Sequence, residues 1–587
     1  MALNSTRQFT PFSVSVLLHI FILLACFSSP AALAADPPTP VWSRYGCNAG
    51  FNFCANVTTK ESWSEDGNNI YLFLDALVYE DDIEKANTTV WYVGENFDDS
   101  WASDLRREAF DVVRFSFRGS EFAHPQITCT PDQYTKNHCM PSVECAEEVR
   151  RSGLNMMHYS TEETAKDLIW VIKQLGKGKL NIIVAEGLGS VVVQRALEME
   201  DQLKNVSVVM AGFTHPQYFD IFQSINGYDA VLQRVLALCE GDKTLLCVSR
   251  VGALEGLWNR FVNVMRAAEA NTLKCNKLLK WGADAKEMHT EYRSIVAALL
   301  KKPQNPLMLS DWKLLQLIPS FIYRLQRCEA RDQQALTQLR EFVRSTERNR
   351  CPLFVVQRYN WLLNEMVLTR QPAPPKDLME AASMERLVIP NMLLLQQLYD
   401  TYKAFPKYNA TKISVARTLV PLLLLPSDID PLFSLGMAAQ ASIIYGATIR
   451  RLPHQSNLPV ANSASNCIKA NLIHYRSRFE WADAAQCNLD NIYRLNFTAF
   501  DAYDFYGVTD AWEFTTPNMA EPPVNNSATN STSPPCEGAN EGSSRAMGFI
   551  TVLFVLTLLG LFGMTYLYWT KARSLKFSDD FYSNLNH

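Results

Sequence analysis

Two textures alternate along the chain. Ile70–Val78, Thr89–Val93 and Phe110–Phe115 are short runs rich in β-branched and aromatic residues, which read as strands. Thr161–Leu175 follows the helical period instead. Thr164, Leu168, Val171 and Leu175 share one face, Thr161 stands where a cap is needed and Gly176 where a helix stops. Ile182–Val184 is again strand-like, Ala185 to Ser190 form a small-residue turn, and helical spacing resumes to about Asp201. Val206–Met210 is a further buried strand, ending in Ala211-Gly212-Phe213-Thr214-His215-Pro216. Strands and helices alternating at this spacing predict βαβ units and a parallel sheet. Ahead of them, after Asp36-Pro37-Pro38, a loop pinned by Cys47 and Cys54 is expected.

From 216 to 411 the texture changes. Apolar positions such as Leu336, Leu339, Phe342 and Val343 recur at helical spacing, prolines punctuate the segment, and long β-branched runs are missing. A mostly helical insertion is expected there; a separate helical domain is the other reading. The sheet resumes at Thr418–Leu425, followed by Pro426-Ser427-Asp428-Ile429-Asp430-Pro431, a helix over Leu435–Tyr445, a short strand over Ala447–Leu452, and Pro453-His454. Cys467 and Cys487 bracket another helix. Pro517 to Gly542, rich in Asn, Ser, Thr, Pro and Glu, reads as a flexible stalk.

The ends change the picture from a soluble fold to a membrane protein. Arg7, the apolar stretch Phe12–Phe27 and the small-x-small site Ala32-Leu33-Ala34 predict a signal peptide over 1–34. Ala546–Trp569 carries no charge and is long enough to span a bilayer; Lys571, Arg573 and Lys576 place the following tail, 570–587, in the cytosol. The expected divisions are a core over 42–215 and 412–515, the helical insertion over 216–411, a stalk over 516–545 and the span over 546–569. The sequence thus predicts a single-pass type I protein of the cell surface or of endosomal or lysosomal membranes, its ectodomain extracellular or lumenal.

Cysteine usage points to the same compartment. Of fourteen cysteines, Cys26 belongs to the signal, and many of the rest stand at short separations: Cys47/Cys54, Cys129/Cys139/Cys145, Cys239/Cys247, Cys328/Cys351 and Cys467/Cys487. With no C-x-x-C pair or histidine cluster, disulfides are expected rather than metal, and no cofactor is indicated. Glycosylation sequons stand at Asn56, Asn87, Asn205, Asn409, Asn496, Asn525 and Asn530. A net charge of −5 over 587 residues, 48% of them hydrophobic and 20% charged, gives ample material for a core and argues against a nucleic-acid partner.

The strand–turn–helix at 182–201 has the layout of a nucleophile elbow, where the turn reads G-x-S-x-G. Here it reads Ala185-Glu186-Gly187-Leu188-Gly189, then Ser190, so glycine stands at the tip. Asp430 follows the resumed strand and His454 follows the next, in the order nucleophile, acid, histidine. An acid there would hold the imidazole in the tautomer that reaches the nucleophile.

On these elements the chain resembles the tripeptidyl/prolyl aminopeptidase family of serine peptidases, which have an α/β-hydrolase core and a helical cap. Phe110-Asp111-Val112-Val113 through Arg118-Gly119 resembles the family's FDVV…DxRG segment, with Ser116 where it usually has Asp. Tyr159-Ser160-Thr161 with Ala165–Leu168 resembles the helix before the elbow, Val208–Pro216 is similar to the VLDGVxDP strand end, and Thr418–Pro431 to the acid-bearing strand. Cys467…Cys487 with Tyr475 between them is similar to the family's closing cysteine pair. The fold class expected is therefore α/β: a mostly parallel sheet flanked by helices, a large helical cap, and one C-terminal transmembrane helix.

The resemblance implies a serine exopeptidase, and two departures oppose it. Gly187 has no hydroxyl for His454 to deprotonate. Ser190 lies about one turn further on, too far for near-attack geometry, and Glu186 is one residue out of register for a carboxylate nucleophile. The family's glycine-rich oxyanion turn is replaced by Val93-Gly94-Glu95-Asn96-Phe97-Asp98-Asp99, which puts carboxylates where an oxyanion must form. The expected function is a pseudoenzyme ectodomain that binds or scaffolds, with a peptide or protein ligand in the core–cap cleft. A membrane-anchored exopeptidase with an unconventional nucleophile is the alternative. A sorting receptor is another, on the Y-x-x-Φ pattern Tyr582-Ser583-Asn584-Leu585.

Overall fold

A computed structural model describes most of residues 37–512. The longer stretches outside the described residues are 1–36, 79–85, 135–140, 214–220, 301–310, 348–354, 367–398, 431–434, 453–464, 484–494 and 513–587, with shorter breaks between. The expected signal peptide, stalk, span and tail therefore lie outside the described residues. Among those described, no helix is long and apolar enough to cross a membrane.

The strands are β1 Phe53–Lys60, β2 Asn69–Leu77, β3 Thr88–Val93, β4 Asp111–Arg114, β5 Leu180–Glu186, β6 Val206–Ala211, β7 Leu422–Leu425 and β8 Thr448–Ile449. They form one sheet in the order β1-β2-β4-β3-β5-β6-β7-β8, and a two-residue strand, Ala123–His124, pairs with β2 off this path. From β4 to β8 every pairing is parallel; β1 and β2 run antiparallel at one end.

Both faces of the parallel part of the sheet are covered, which is why β3, β5, β6 and β7 are buried along nearly their whole length, whereas β1 and β2 alternate. Helices α1 Asp99–Arg107, α2 Val143–Arg151, α3 Thr161–Leu175 and α4 Gly189–Leu197 supply much of that cover. Trp91, Ile183, Val208 and Leu424 point to the layer containing α3 and α4, while Val90, Ile182, Val209 and Leu423 point to the layer containing α1.

Between β6 and β7 lie α5 Ile221–Glu240, α6 Leu246–Val251, α7 Leu257–Glu269, α8 Lys274–Leu279, α9 Ala285–Leu300, α10 Asp311–Arg327, α11 Ala330–Glu347 and α12 Val355–Trp361. After β7 come α13 Leu435–Tyr445, α14 Ser465–Arg478 and the short α15 Tyr503–Tyr506. The inserted helices have their own apolar core, built around Leu232, Phe261, Val296, Phe321 and Leu336. Leu495, Phe497, Phe505, Tyr506 and Trp512 join that core, although the sequence groups 495–512 with the second half of the sheet domain. Arg324, buried among them, donates to the Ala511 carbonyl at 2.8 Å and to Asp332 at 3.0 Å.

Several local expectations need correction. The loop pinned by Cys47 and Cys54 runs directly into a strand that was not foreseen, β1, paired with β2 from Phe53↔Ala76 to Lys60↔Asn69. Asn56 and Lys60 weaken its strand signal, and pairing with β2 supplies what propensity does not. Helix α1 was not expected at all. The strand foreseen from Thr418 begins only at Leu422: Pro421 has no N–H, and its carbonyl accepts from Val208 N at 2.9 Å. The cap of α3 is Ser160, whose hydroxyl accepts from Glu163 N at 3.2 Å, not Thr161. Helix α4 stops at Leu197, short of Asp201.

Candidate functional site

Strand β5 lies between β3 and β6, so the turn after Glu186 opens at the C-terminal edge of a parallel sheet, where open α/β sheets place their ligands. Gly187 turns the chain with φ +57°, a conformation that costs an L residue roughly 1–2 kcal/mol and glycine almost nothing. Its N–H donates to the Ala211 carbonyl at 3.2 Å, tying the turn to β6. Two residues on, Gly189 lets α4 press against β3: a Cβ there would stand 2.0 Å from the Val93 carbonyl oxygen and 3.2 Å from Gly94 N.

Ser190 is fully buried. Its hydroxyl donates to the Gly187 carbonyl at 2.7 Å, and its N–H donates to the same oxygen at 3.0 Å. Its own carbonyl accepts from the Gln194 side chain at 3.0 Å. The hydroxyl thus closes the first turn of α4. Glu186 is also fully buried, and its Oε2 accepts from the Tyr92 hydroxyl at 2.5 Å. Phe97 packs edge-on against the Tyr92 ring at 5.2 Å, with Trp101 at 6.1 Å. Ala185 is the last apolar residue of β5, and Leu188 stands at the N-cap of α4 with no side-chain cap. Gly94 follows β3 directly; Glu95 lies outside the described residues.

On the acid side, β7 and β8 stay paired past their ends. Ser427 bridges Leu452 in parallel, Arg450 N donates to the Leu424 carbonyl at 2.9 Å and Leu452 N to the Pro426 carbonyl at 2.8 Å. That pairing holds Ser427 and Leu452 side by side at the ends of the two strands. Asp430 is buried, next to Ile429, whose side chain belongs to the core of the helical insertion. Tyr228 of α5 is close to it: burial first, and the Asp430 charge second, push the Tyr228 phenol up. His454 lies outside the described residues.

The segments that carry the family resemblance do structural work here. The Arg118 guanidinium, fully buried, forms a two-pronged pair with Asp167 of α3, one prong at 2.7 Å. It also donates to the carbonyls of Glu61 at 2.6 Å, Lys60 at 2.7 Å and His158 at 2.7 Å. Trp63 Nε1 donates to Asp167 at 2.8 Å, so the end of β1 is locked to α3 through one cation. Ser116 is buried and donates to the Phe73 carbonyl of β2.

A second polar cluster, not foreseen from sequence, ties the segment after β6 back to the sheet domain. Glu365, buried just beyond α12, accepts from Thr161 N at 2.8 Å, from the Thr161 hydroxyl, and from the Tyr408 hydroxyl at 2.6 Å. The Arg195 guanidinium of α4 stands 3.8 Å from it. A carboxylate at the start of α3 also suits the helix dipole. Gln357, Asn360 and Trp361 all donate to the Tyr159 carbonyl, at 2.6, 3.2 and 2.8 Å. Only their separation of about two hundred residues hid these contacts; no local motif marks them.

Disulfides join Cys47–Cys54, Cys129–Cys145, Cys239–Cys247 and Cys275–Cys328, and Cys467 is also disulfide-bonded. The proximity of Cys328 to Cys351 in sequence was misleading: Cys328, just past α10, meets Cys275 of α8 across the helical core, 53 residues away. Cys139, Cys351 and Cys487 lie outside the described residues. Asn56, Asn87, Asn205 and Asn409 are all exposed, whereas Asn496, Asn525, Asn530, Tyr582 and Leu585 lie outside the described residues. Among the described residues no group of three metal-ligating side chains converges.

No family model and no curated protein matches the chain. Similar solved structures include a bromoperoxidase from Bacillus anthracis (11% identity, 72% of this chain and 99% of that one, TM-score 0.30). An esterase from Exiguobacterium antarcticum (9%, 70% and 96%, TM-score 0.30) and the epoxide hydrolase VrEH1 from Vigna radiata (10%, 73% and 98%, TM-score 0.29) are also similar. The strand order, the parallel core and the elbow after β5 define the class: the chain has an α/β-hydrolase fold, a mostly parallel sheet flanked by helices.

Proposed function

We propose that the chain is the catalytically silent, aminopeptidase-like ectodomain of a single-pass type I membrane glycoprotein, serving as a binding or scaffold module. The observation that carries this is the elbow itself: the tip is Gly187, and the Ser190 hydroxyl three residues on is buried and committed to the Gly187 carbonyl. Nucleophilic catalysis needs a hydroxyl or thiol that an imidazole can reach. Glu186, buried beneath Tyr92, is likewise taken up. Exposed sequons and the disulfides agree with an oxidising lumen. In this reading the inserted helices are the family's cap, and peptide-like ligands bind between cap and sheet edge without being cut.

The test is a fluorophosphonate probe on the full-length protein in detergent, beside a Ser190→Ala variant. The expected result is no covalent labelling of either. Labelling of the wild type, whether or not Ser190→Ala abolishes it, would overturn catalytic silence.

A further inference from the structure

A cavity of about 710 Å³ lies at the opposite edge of the sheet from the elbow. It is within the roughly 300–1,000 Å³ typical of ligand pockets. Leu180 and Val206, which open β5 and β6, line it together with Pro421, which precedes β7. Its wall carries an apolar surface that water should not meet: Leu419 is 88% exposed and Phe479 67%, with Tyr475 beside them. Phe479 is held at φ +57°, rare for a bulky residue, and its ring packs edge-on against Tyr475 at 6.2 Å. Asn205, exposed and with φ +57°, lines the same cavity and opens the sequon Asn205-Val206-Ser207.

We infer that Asn205 carries an N-linked glycan whose first sugar lies in this groove and covers Leu419 and Phe479. The inference rests on the lumenal placement proposed above. The occupant follows from attachment: a sugar bonded to a side chain that lines the groove is held there at high effective concentration, whereas a free ligand must supply its own affinity. The chemistry also matches. One face of a pyranose ring presents polarised C–H groups, which suit the negative face of an aromatic ring, while its hydroxyls and acetamide can meet Lys179 and Asp201 on the rim.

In the modification, Asn205 Nδ2 bonds to the anomeric carbon of a polyprenyl-diphosphate-linked oligosaccharide. The carbon–oxygen bond to the diphosphate breaks, the diphosphate leaves with the electron pair, and Nδ2 loses a proton. Ser207 is buried in β6, so transfer must precede closure of that strand. Asn87, exposed at the same sheet edge where its carbonyl accepts from Leu180 N at 2.9 Å, does not line the groove and serves as a control.

The experiment uses the full chain expressed in a eukaryotic host and purified in detergent, read by glycopeptide mass spectrometry and by binding of a hydrophobic dye above the detergent blank. Asn205 is expected to be occupied. Dye binding should rise in Asn205→Gln and after enzymatic removal of the whole glycan from the folded protein. It should stay unchanged in Asn87→Gln and after trimming to a single sugar. The enzymatic arm does not depend on the variant folding. Vacant Asn205 with occupied Asn56 and Asn87 would overturn the inference alone, as would an occupied Asn205 whose removal leaves dye binding unchanged. A dimer of the glycosylated protein broken by Leu419→Asp would overturn it in favour of a second copy. Vacancy at all three sequons would overturn the lumenal reading with it.

Discussion

The Ser190 hydroxyl donates to the Gly187 carbonyl at 2.7 Å, inside a turn where both residues are held by α4 and β6. The hydroxyl is thus part of the helix start. Ser190→Ala should lower stability by about 1 kcal/mol, the ordinary worth of one buried hydrogen bond, and leave probe labelling where it was. Denaturant unfolding of the two proteins, with labelling run alongside, measures both.

The turn should be more sensitive to an added methyl than to the loss of that hydroxyl. Gly187→Ala is expected to cost about 1–2 kcal/mol through its φ of +57°. Gly189→Ala should cost at least as much, about 1–3 kcal/mol, because the new Cβ would meet the Val93 carbonyl at 2.0 Å and α4 would have to move. Equal stability of wild type and Gly189→Ala by calorimetry would show that α4 does not press on β3 this closely.

The helical insertion is stapled by Cys275–Cys328, which closes a loop of 53 residues. On the chain-entropy model such a loop corresponds to about 4 kcal/mol at 25 °C. The Cys275→Ser/Cys328→Ser double variant should therefore expose the insertion to limited proteolysis while cleavage within the sheet domain stays slow. Digestion at the wild-type rate in the helical segments would contradict that.

Acid should loosen the contact between α3 and the segment before β7. Glu162 accepts from Thr411 at 2.8 Å and pairs with Lys166 at 3.0 Å. Burial opposes its ionisation, but hydrogen bonds from Lys166 and Thr411, with the charges of Lys166 and Arg195, outweigh it and hold the carboxyl below its ordinary value of 4.5. The folded value being the lower, this contribution is present above pH 4.5 and fades as pH falls through the folded value. Glu162→Gln should lose this modest contribution at neutral pH and converge with the wild type in acid, flattening the acid limb of the stability–pH curve; an identical acid limb would remove Glu162 from the account.

The hydrophobic runs of β3, β5 and β6 were legible in the sequence because a strand buried on both faces has no polar positions to obscure it. The small-residue turn with glycine at its tip was legible too, since backbone geometry there depends on residue type alone. What decided the fate of Ser190, Arg118 and Glu365 was distance in space. Whether a hydroxyl is free or tied, and whether a cation serves a ligand or the carbonyls of Lys60 and Glu61, depends on which groups the fold brings within hydrogen-bond reach. The partner of Cys328 and the packing of Phe497, Phe505 and Trp512 on the inserted helices were hidden for the same reason. A local pattern reports the periodicity of burial; pairing across fifty or three hundred residues is settled only when the chain closes on itself.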